Sequence, residues 1–363
     1  MIHRFFRRFI RFIYEHVPVK VKLFLLRMIS SSRILISLYY FLDGSYHYEQ
    51  KGTLLGIHHY LRETNLSDGS PIYQLIRNIH RLEKGLSVKG EYRRSFFAES
   101  YIIETVESFA KIHRGQNAPS MYFTETKTWA SDVLKQYFRT VEKTENIQKA
   151  EKRFQEIVDF DPEEHKNRFP VKRKFKEYSK VQYGELKQLA LQRRSVRSYQ
   201  SIPVPRKELD KAIQIAALSP SACNRQAFKF MVFDDPQWVE EICQILPGID
   251  CQQGDIPCVV GVVGNQGAYF DERDRHLIYI DGSLAVMSFQ LALETLGLSS
   301  CCINWPSIFQ LEKRMEKLLG LEEHERVVMF LSVGYPDPEG LIPYSQKKSV
   351  DEIRSYNNCQ GAR

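Results

Sequence analysis

Apolar positions recur at helical spacing through the first 158 residues, and in short β-branched runs after residue 181. Residues 2–13, IHRFFRRFIRFI, form the most segregated pattern. At about 100° per residue, Phe5, Phe6, Phe9, Ile10, Phe12 and Ile13 share one arc, and Arg4, Arg7, Arg8 and Arg11 the opposite one. Residues 19–42 continue apolar and basic. Ile72, Leu75, Ile76, Ile79 and Leu82 predict a helix that Gly85 stops. Its polar side carries Arg77, His80, Arg81, Glu83 and Lys84, which read either as a lid over a site or as a solvated, ion-paired face. A second helix is predicted over 98–113, a loop over 114–120 and a charged helix over 127–158.

The polar, proline-marked stretch 161–180 reads as a boundary. It divides the chain into a basic amphipathic segment (1–45), a helical extension (46–180) and a C-terminal domain (181–363). In that domain a helix is predicted over Tyr183–Gln192, burying Leu186, Leu189 and Ala190. Strand-like runs follow at 228–234, 258–264, 299–304 and 326–334. A sheet with interspersed helices means α/β or α+β. Residues 283–297 are apolar nearly all round, as a helix at a domain centre or in a subunit interface is.

Charge sharpens this division. The formal net charge of +7 lies wholly in residues 1–33, where eight cations face one acid, Glu15. A neutral body with a basic tip points away from nucleic acid and towards an anionic membrane surface. Charges interrupt residues 19–43 too often for a membrane span, so the expected location is cytoplasmic with peripheral membrane association. Seven cysteines, none in a CxxC pair, read as reduced thiols. His58 and His59 have no further ligand at helical spacing, and no metal site is expected.

Candidate chemistry concentrates between Arg193 and Gln226. Arg193, Arg194 and Arg197, with Ser195 among them, suit a phosphate dianion, because arginine forks match its oxygens. The turn Ser219–Gln226, SPSACNRQ, offers small residues and the amides of Asn224 and Gln226, suited to the edge of a planar heterocycle. No dinucleotide-type GxGxxG, P-loop, HExxH or GxSxG elbow is present.

Taken together, residues 187 to about 355 resemble the nitroreductase family of FMN-dependent oxidoreductases. RRSVRSY resembles the family's phosphate-gripping start, and SPSACNRQAFKF its PSxxNxQPW turn. IDGSLAVMSFQLALETLGLSSCCINW resembles its central helix and following strand, and GYPDPE with KKSVDEI its closing segment. The resemblance implies an α+β fold, a mixed sheet flanked by helices. It also implies FMN, NAD(P)H as donor, a small-molecule electron acceptor (nitro, quinone or similar) and a homodimer with FMN at the interface. By the same resemblance, Arg193, Arg194, Ser195 and Arg197 surround the phosphate and ribityl chain. Pro220, Ser221 and Asn224 contact flavin from the second subunit, Ile303 and Asn304 lie near its redox edge, and Lys347 replaces a phosphate-binding arginine. Phe228 takes the place of the family's tryptophan. No dedicated protein acid or base is expected. Reductive dehalogenation, flavin fragmentation and a non-catalytic scaffold for a membrane-associated assembly are the other readings.

Overall fold

The computed structural model describes residues 16–44, 46–88, 92, 94–114, 121–158, 168–171, 179–249 and 256–357. The amphipathic stretch 2–13 and most of 161–180 lie outside them.

The helical region contains α1 (Val19–Ser30), α2 (Arg33–Asp43), α3 (His47–Asn65), α4 (Ile72–Ser87), α5 (Ile102–Arg114), α6 (Met121–Thr140) and α7 (Glu145–Gln155). Helices α4 to α7 share a core of their own, with Leu75, Ile79, Phe109, Leu134, Tyr137 and Phe154 at its centre. Two expectations change here. Gly85 does not end α4, which runs on to Ser87. It is glycine because any Cβ would overlap the Phe97 ring packed against it. The expected helix 127–158 is two helices, since Thr144 leaves helical backbone for the extended conformation of an N-cap.

The C-terminal region contains α8 (Tyr183–Gln192), α9 (Arg206–Ala216), β1 (Phe228–Phe233), α10 (Pro236–Cys243), β2 (Cys258–Asn265), α11 (Leu277–Thr295), β3 (Ser299–Asn304), α12 (Phe309–Leu319), β4 (Glu325–Gly334) and α13 (Val350–Ile353). The strands form one sheet in the order β1-β2-β4-β3, every pair antiparallel. A parallel contact comes where Ser195 bridges Ser300 of β3. The central strand β2 is buried on both faces, which is why CVVGVVG has no polar alternation. Cys258, Val260 and Val262 face α9 and α11, with Ala212, Ala285 and Phe289. Val259 and Val263 face the other way, onto Ile242, Trp305, Met315 and Phe330.

Helix α3 docks the helical region onto this sheet through small residues. The buried Arg326 of β4 donates to the Tyr48 carbonyl at 3.2 Å and lies 4.2 Å over the Tyr48 ring. It fits only because residue 52 is glycine, since a Cβ there would overlap its Nη2. One turn on, a Cβ at Gly56 would come within 2.7 Å of the Gln266 carbonyl. The Tyr48 hydroxyl also donates to the Glu316 carboxylate.

Candidate flavin site

The site is built along α11. This apolar helix carries three buried polar side chains, Asp281, Gln290 and Glu294, and each is hydrogen-bonded to a neighbouring segment. Burying such groups is costly unless they are hydrogen-bonded.

Asp281 holds the Ser219–Gln226 turn. Its Oδ2 accepts the Ala222 N–H at 2.9 Å, and Ser219 Oγ meets Ser288 Oγ of the same helix at 2.7 Å. The Gln226 N–H donates to Ser221 Oγ at 3.1 Å. Within the turn Cys223, Asn224 and Gln226 all have positive φ, between 49° and 54°. Such backbone costs about 1–3 kcal/mol per residue and persists only where surroundings enforce it. The result is an Asn224 side chain presented to solvent on a fixed backbone. Arg225, only 2 % exposed, anchors the turn on its inner side with its guanidinium 5.0 Å over the Tyr269 ring. Burial pushes the Asp281 carboxyl above the ordinary range, opposed by the Ala222 N–H and the charge of Arg225.

At the other end of α11, Glu294 accepts from Ser299 Oγ at 3.1 Å and Gln192 Nε2 at 3.4 Å. Gln290 donates to Ser300 Oγ at 2.9 Å. These bonds fix the start of β3 and the end of α8, and the arginine segment runs between them. Val196 N–H donates to the Ser300 carbonyl at 3.3 Å, and Tyr199 Oη lies 2.8 Å from Ser332 Oγ. The closing motif is tied to the same segment, with Asp337 Oδ2 accepting from Ser198 Oγ at 3.1 Å. Burial raises the Glu294 carboxyl; Ser299, Gln192 and Arg193 pull it back.

The predicted site residues separate into two groups. Among the described residues, Arg193 has a buried Nε without a partner, and the side-chain hydrogen bond of Arg197 is a long 3.4 Å contact to the Ser195 carbonyl. Arg193, beside Glu294, thus keeps its Nε for a further acceptor. Arg194 is engaged elsewhere, donating to the Tyr344 carbonyl at 2.6 Å and to that of Pro343. It braces the tail that carries the exposed Lys347. Ile303 packs its side chain into the core with Phe330 and Trp305, leaving only its backbone for a ligand. Asn304 beside it is exposed. Pro220, Ser221 and Asn224 lie on the turn. Phe228 begins β1 and packs against the core beneath α11.

Asp281 and Glu294 are thirteen positions apart on one helix, about 20 Å along its axis. The turn is held along α11 from Asp281 to Ser288, and the arginine segment beyond it from Gln290 to Glu294. On the same helix Ile280, Leu284 and Met287, at helical spacing, are exposed. So is Leu186 of α8, which the sequence pattern places in the core; α8 has no buried residue. The polar side of α4 is occupied internally. Arg77 lies 4.3 Å over Phe270, Arg81 3.6 Å over Tyr101, and Glu83 accepts from Trp129 Nε1 at 2.9 Å. Helix α4 packs against the 222–224 turn.

The sequence motifs do not single out Asp281, Arg225, Gln290 and Glu294. Their signal was present, as single polar residues inside the apolar run of α11 and beside the polar turn.

A helix-flanked antiparallel sheet with Arg193 and Arg197 on one segment and an amide-bearing turn tied to α11 defines an α+β domain suited to a phosphate-bearing planar ligand. A family model described as the nitroreductase family matches residues 190–246 and 247–335. Over those residues the chain matches the nitroreductase family, which is FMN-dependent. Iodotyrosine deiodinase 1 of Rattus norvegicus is 23% identical over 256 residues, covering 62% of this chain and 85% of that protein. An NADH dehydrogenase/NAD(P)H nitroreductase of Methanothermobacter thermautotrophicus is 29% identical over 147 residues, covering 40% of this chain and 73% of that protein. The structure of an FMN-dependent nitroreductase from Clostridium difficile R20291 covers 46% of this chain and 95% of its own, with 25% identity and a TM-score of 0.38.

Proposed function

We propose that this protein is an FMN-dependent oxidoreductase that passes electrons from NAD(P)H to a small acceptor. The arginine segment Arg193–Arg197, which lies inside the span that the family model matches, carries the reading, and the Nε of Arg193 has no partner among the described residues. Arg193, Ser195 and Lys347 fit the phosphate of FMN, and Arg197 fits the pyrimidine edge of its ring. FMN, when bound, supplies the two-electron chemistry. The chain's residues bind, orient and polarise. A guanidinium at the pyrimidine edge favours the reduced, anionic form of the cofactor, and Asn224 offers an amide on a turn held by Asp281 and Ser221.

The working unit on this reading is a homodimer. The nitroreductase resemblance supports this, since it implies a homodimer with FMN at the interface. Each flavin then takes the arginine cluster of one subunit and the turn of the other. The exposed stripe Ile280, Leu284 and Met287, with Leu186, supplies the apolar surface that a second copy covers.

One observation favours reductive dehalogenation as the second reaction class. The deiodinase similarity spans 62% of the chain, against 40% for the NAD(P)H nitroreductase. It therefore takes in more of this chain than the minimal flavin domain. On that reading the acceptor is an aryl halide such as an iodotyrosine. The test is direct: purified protein is yellow and bleaches anaerobically with NADH or NADPH. Reoxidation by a nitroarene or by an iodotyrosine then separates the two acceptor classes. Colourless protein that cannot be reconstituted with FMN refutes the proposal.

A further inference from the structure

Where α3 joins the helical region to the sheet, the contact is built from ionisable groups. Tyr48 of α3, Glu312 of α12 and Arg326 of β4 are all buried there, with Glu316 half-buried beside them. The Tyr48 hydroxyl donates to the Glu316 carboxylate. Arg326 donates to the Tyr48 carbonyl at 3.2 Å and to the Glu325 carbonyl at 2.6 Å, with its guanidinium over the Tyr48 ring. Tyr48 thus meets the C-terminal domain through its hydroxyl, its ring and its carbonyl. The charges of Glu316 and Arg326 act on Glu312, and those of all three act on Tyr48. Tyr279 of α11 is under the charges of Glu312, Arg326 and Glu49 of α3.

Glu312 and Glu316 are four positions apart on α12 and share one face of it. While Glu312 is protonated, one carboxylate, Glu316, faces one guanidinium. Ionisation of Glu312 puts a second carboxylate into the same space, where like charges at this spacing repel and a buried charge is costly unless fully paired. Separation of α3 relieves the cluster by letting water reach Glu312. Burial, with Glu316, raises the Glu312 carboxyl to about 7, against the pull of Trp305 and Arg326. A pKa higher in the docked state than in the undocked one favours docking at low pH, and that contribution is lost as pH rises from about 4.5 to 7.

We infer that Tyr48, Glu312, Glu316 and Arg326 form a proton-controlled latch, which holds α3 on the C-terminal domain at acid pH and loosens it as pH rises. Helix α3 leads into α4, which packs against the 222–224 turn, so the latch sets how firmly the helical region is held beside the candidate flavin site. It needs no flavin, and its failure leaves the proposed function intact. The test is amide hydrogen exchange of the full chain between pH 5.5 and pH 8, read as the rate in α3 relative to α5, whose core is that of the helical region. That ratio cancels the intrinsic pH dependence of exchange. His59 of α3 stacks on His324 at 4.1 Å and also titrates at the joint, but the pair is common to all variants. The α3 ratio of wild type divided by that of Glu312→Gln therefore reads the latch, and it climbs by about tenfold or more over this range. Glu316→Gln, which keeps an acceptor for Tyr48 but removes the like charge beside Glu312, climbs less than wild type. Tyr48→Phe loses the hydroxyl that meets Glu316, and its α3 exchanges faster already at pH 5.5. Parallel curves for wild type and Glu312→Gln overturn the inference, as does wild-type protection of α3 in Tyr48→Phe at pH 5.5. If Glu312→Gln does not fold, a wild-type curve in Glu316→Gln overturns it instead.

Discussion

The aspartate that holds the turn makes the sharpest single-residue prediction. Asp281 is buried, and its Oδ2 accepts the Ala222 N–H at 2.9 Å. Replacing it with alanine leaves that N–H unsatisfied, at about 1–3 kcal/mol. It also removes the negative charge that opposes buried Arg225. A loss of about 2–3 kcal/mol follows, or roughly 5–8 °C in melting temperature for a domain of this size. Cys223, Asn224 and Gln226, held at positive φ, then relax towards ordinary backbone. FMN must re-form the turn on binding, so its Kd rises by at most about a hundredfold, at 1.36 kcal/mol per decade. Asp281→Asn keeps an acceptor oxygen and sheds the desolvation that raises the aspartate pKa, so it falls much closer to wild type. The assay is quenching of FMN fluorescence on titration with apoprotein, paired with thermal melts without FMN. An Asp281→Ala protein that melts and binds FMN like wild type refutes this account of the turn.

Gly52→Ala places a methyl group on Arg326 Nη2. It lowers stability by about 1–3 kcal/mol and loosens α3, which limited proteolysis between residues 45 and 70 detects; an unchanged cleavage rate contradicts the docking described. Burial holds the Glu312 carboxyl up at about 7, against 4.5 for an ordinary glutamate. A folded-state pKa above the unfolded one stabilises at low pH, and the contribution is lost as pH rises from about 4.5 to 7. Urea unfolding at pH 5 and pH 8 is therefore less pH-dependent in Glu312→Gln than in wild type, by up to about 3 kcal/mol; parallel curves contradict this. Arg193→Ala removes the orphaned donor and weakens FMN binding by about 1.5–3 kcal/mol, read by the same fluorescence titration, whereas Arg194→Ala loosens the 343–344 tail with a smaller effect on FMN.

The four strands were legible because burial on both faces of the sheet leaves β-branched runs unbroken, as in CVVGVVG of β2. The helical stripes of α4 and α5 were legible because each buries one face. Gly85 misled, since a glycine needed for the close approach of Phe97 looks the same in sequence as one that ends a helix. The partners of Leu186 were invisible for a similar reason. Periodicity reports that a face is apolar, and whether the chain itself or a second copy covers it is a tertiary matter. Of the candidate site, the arginines and the turn were readable as motifs. Their separation along α11, and the anchors Asp281 and Glu294, were not, because a lone carboxylate in an apolar run does not name the backbone it will hold.

The shared interface is the central claim, and a purified heterodimer tests it most directly. One subunit carries Arg197→Ala and the other Asn224→Ala, with different affinity tags. If each flavin takes the arginine cluster of one subunit and the turn of the other, both lesions fall on one site. The second site is then intact, and the heterodimer binds one FMN with wild-type affinity while either mutant homodimer binds weakly. If cluster and turn of the same chain serve one flavin, both sites of the heterodimer are damaged and no wild-type site appears, which would contradict the account.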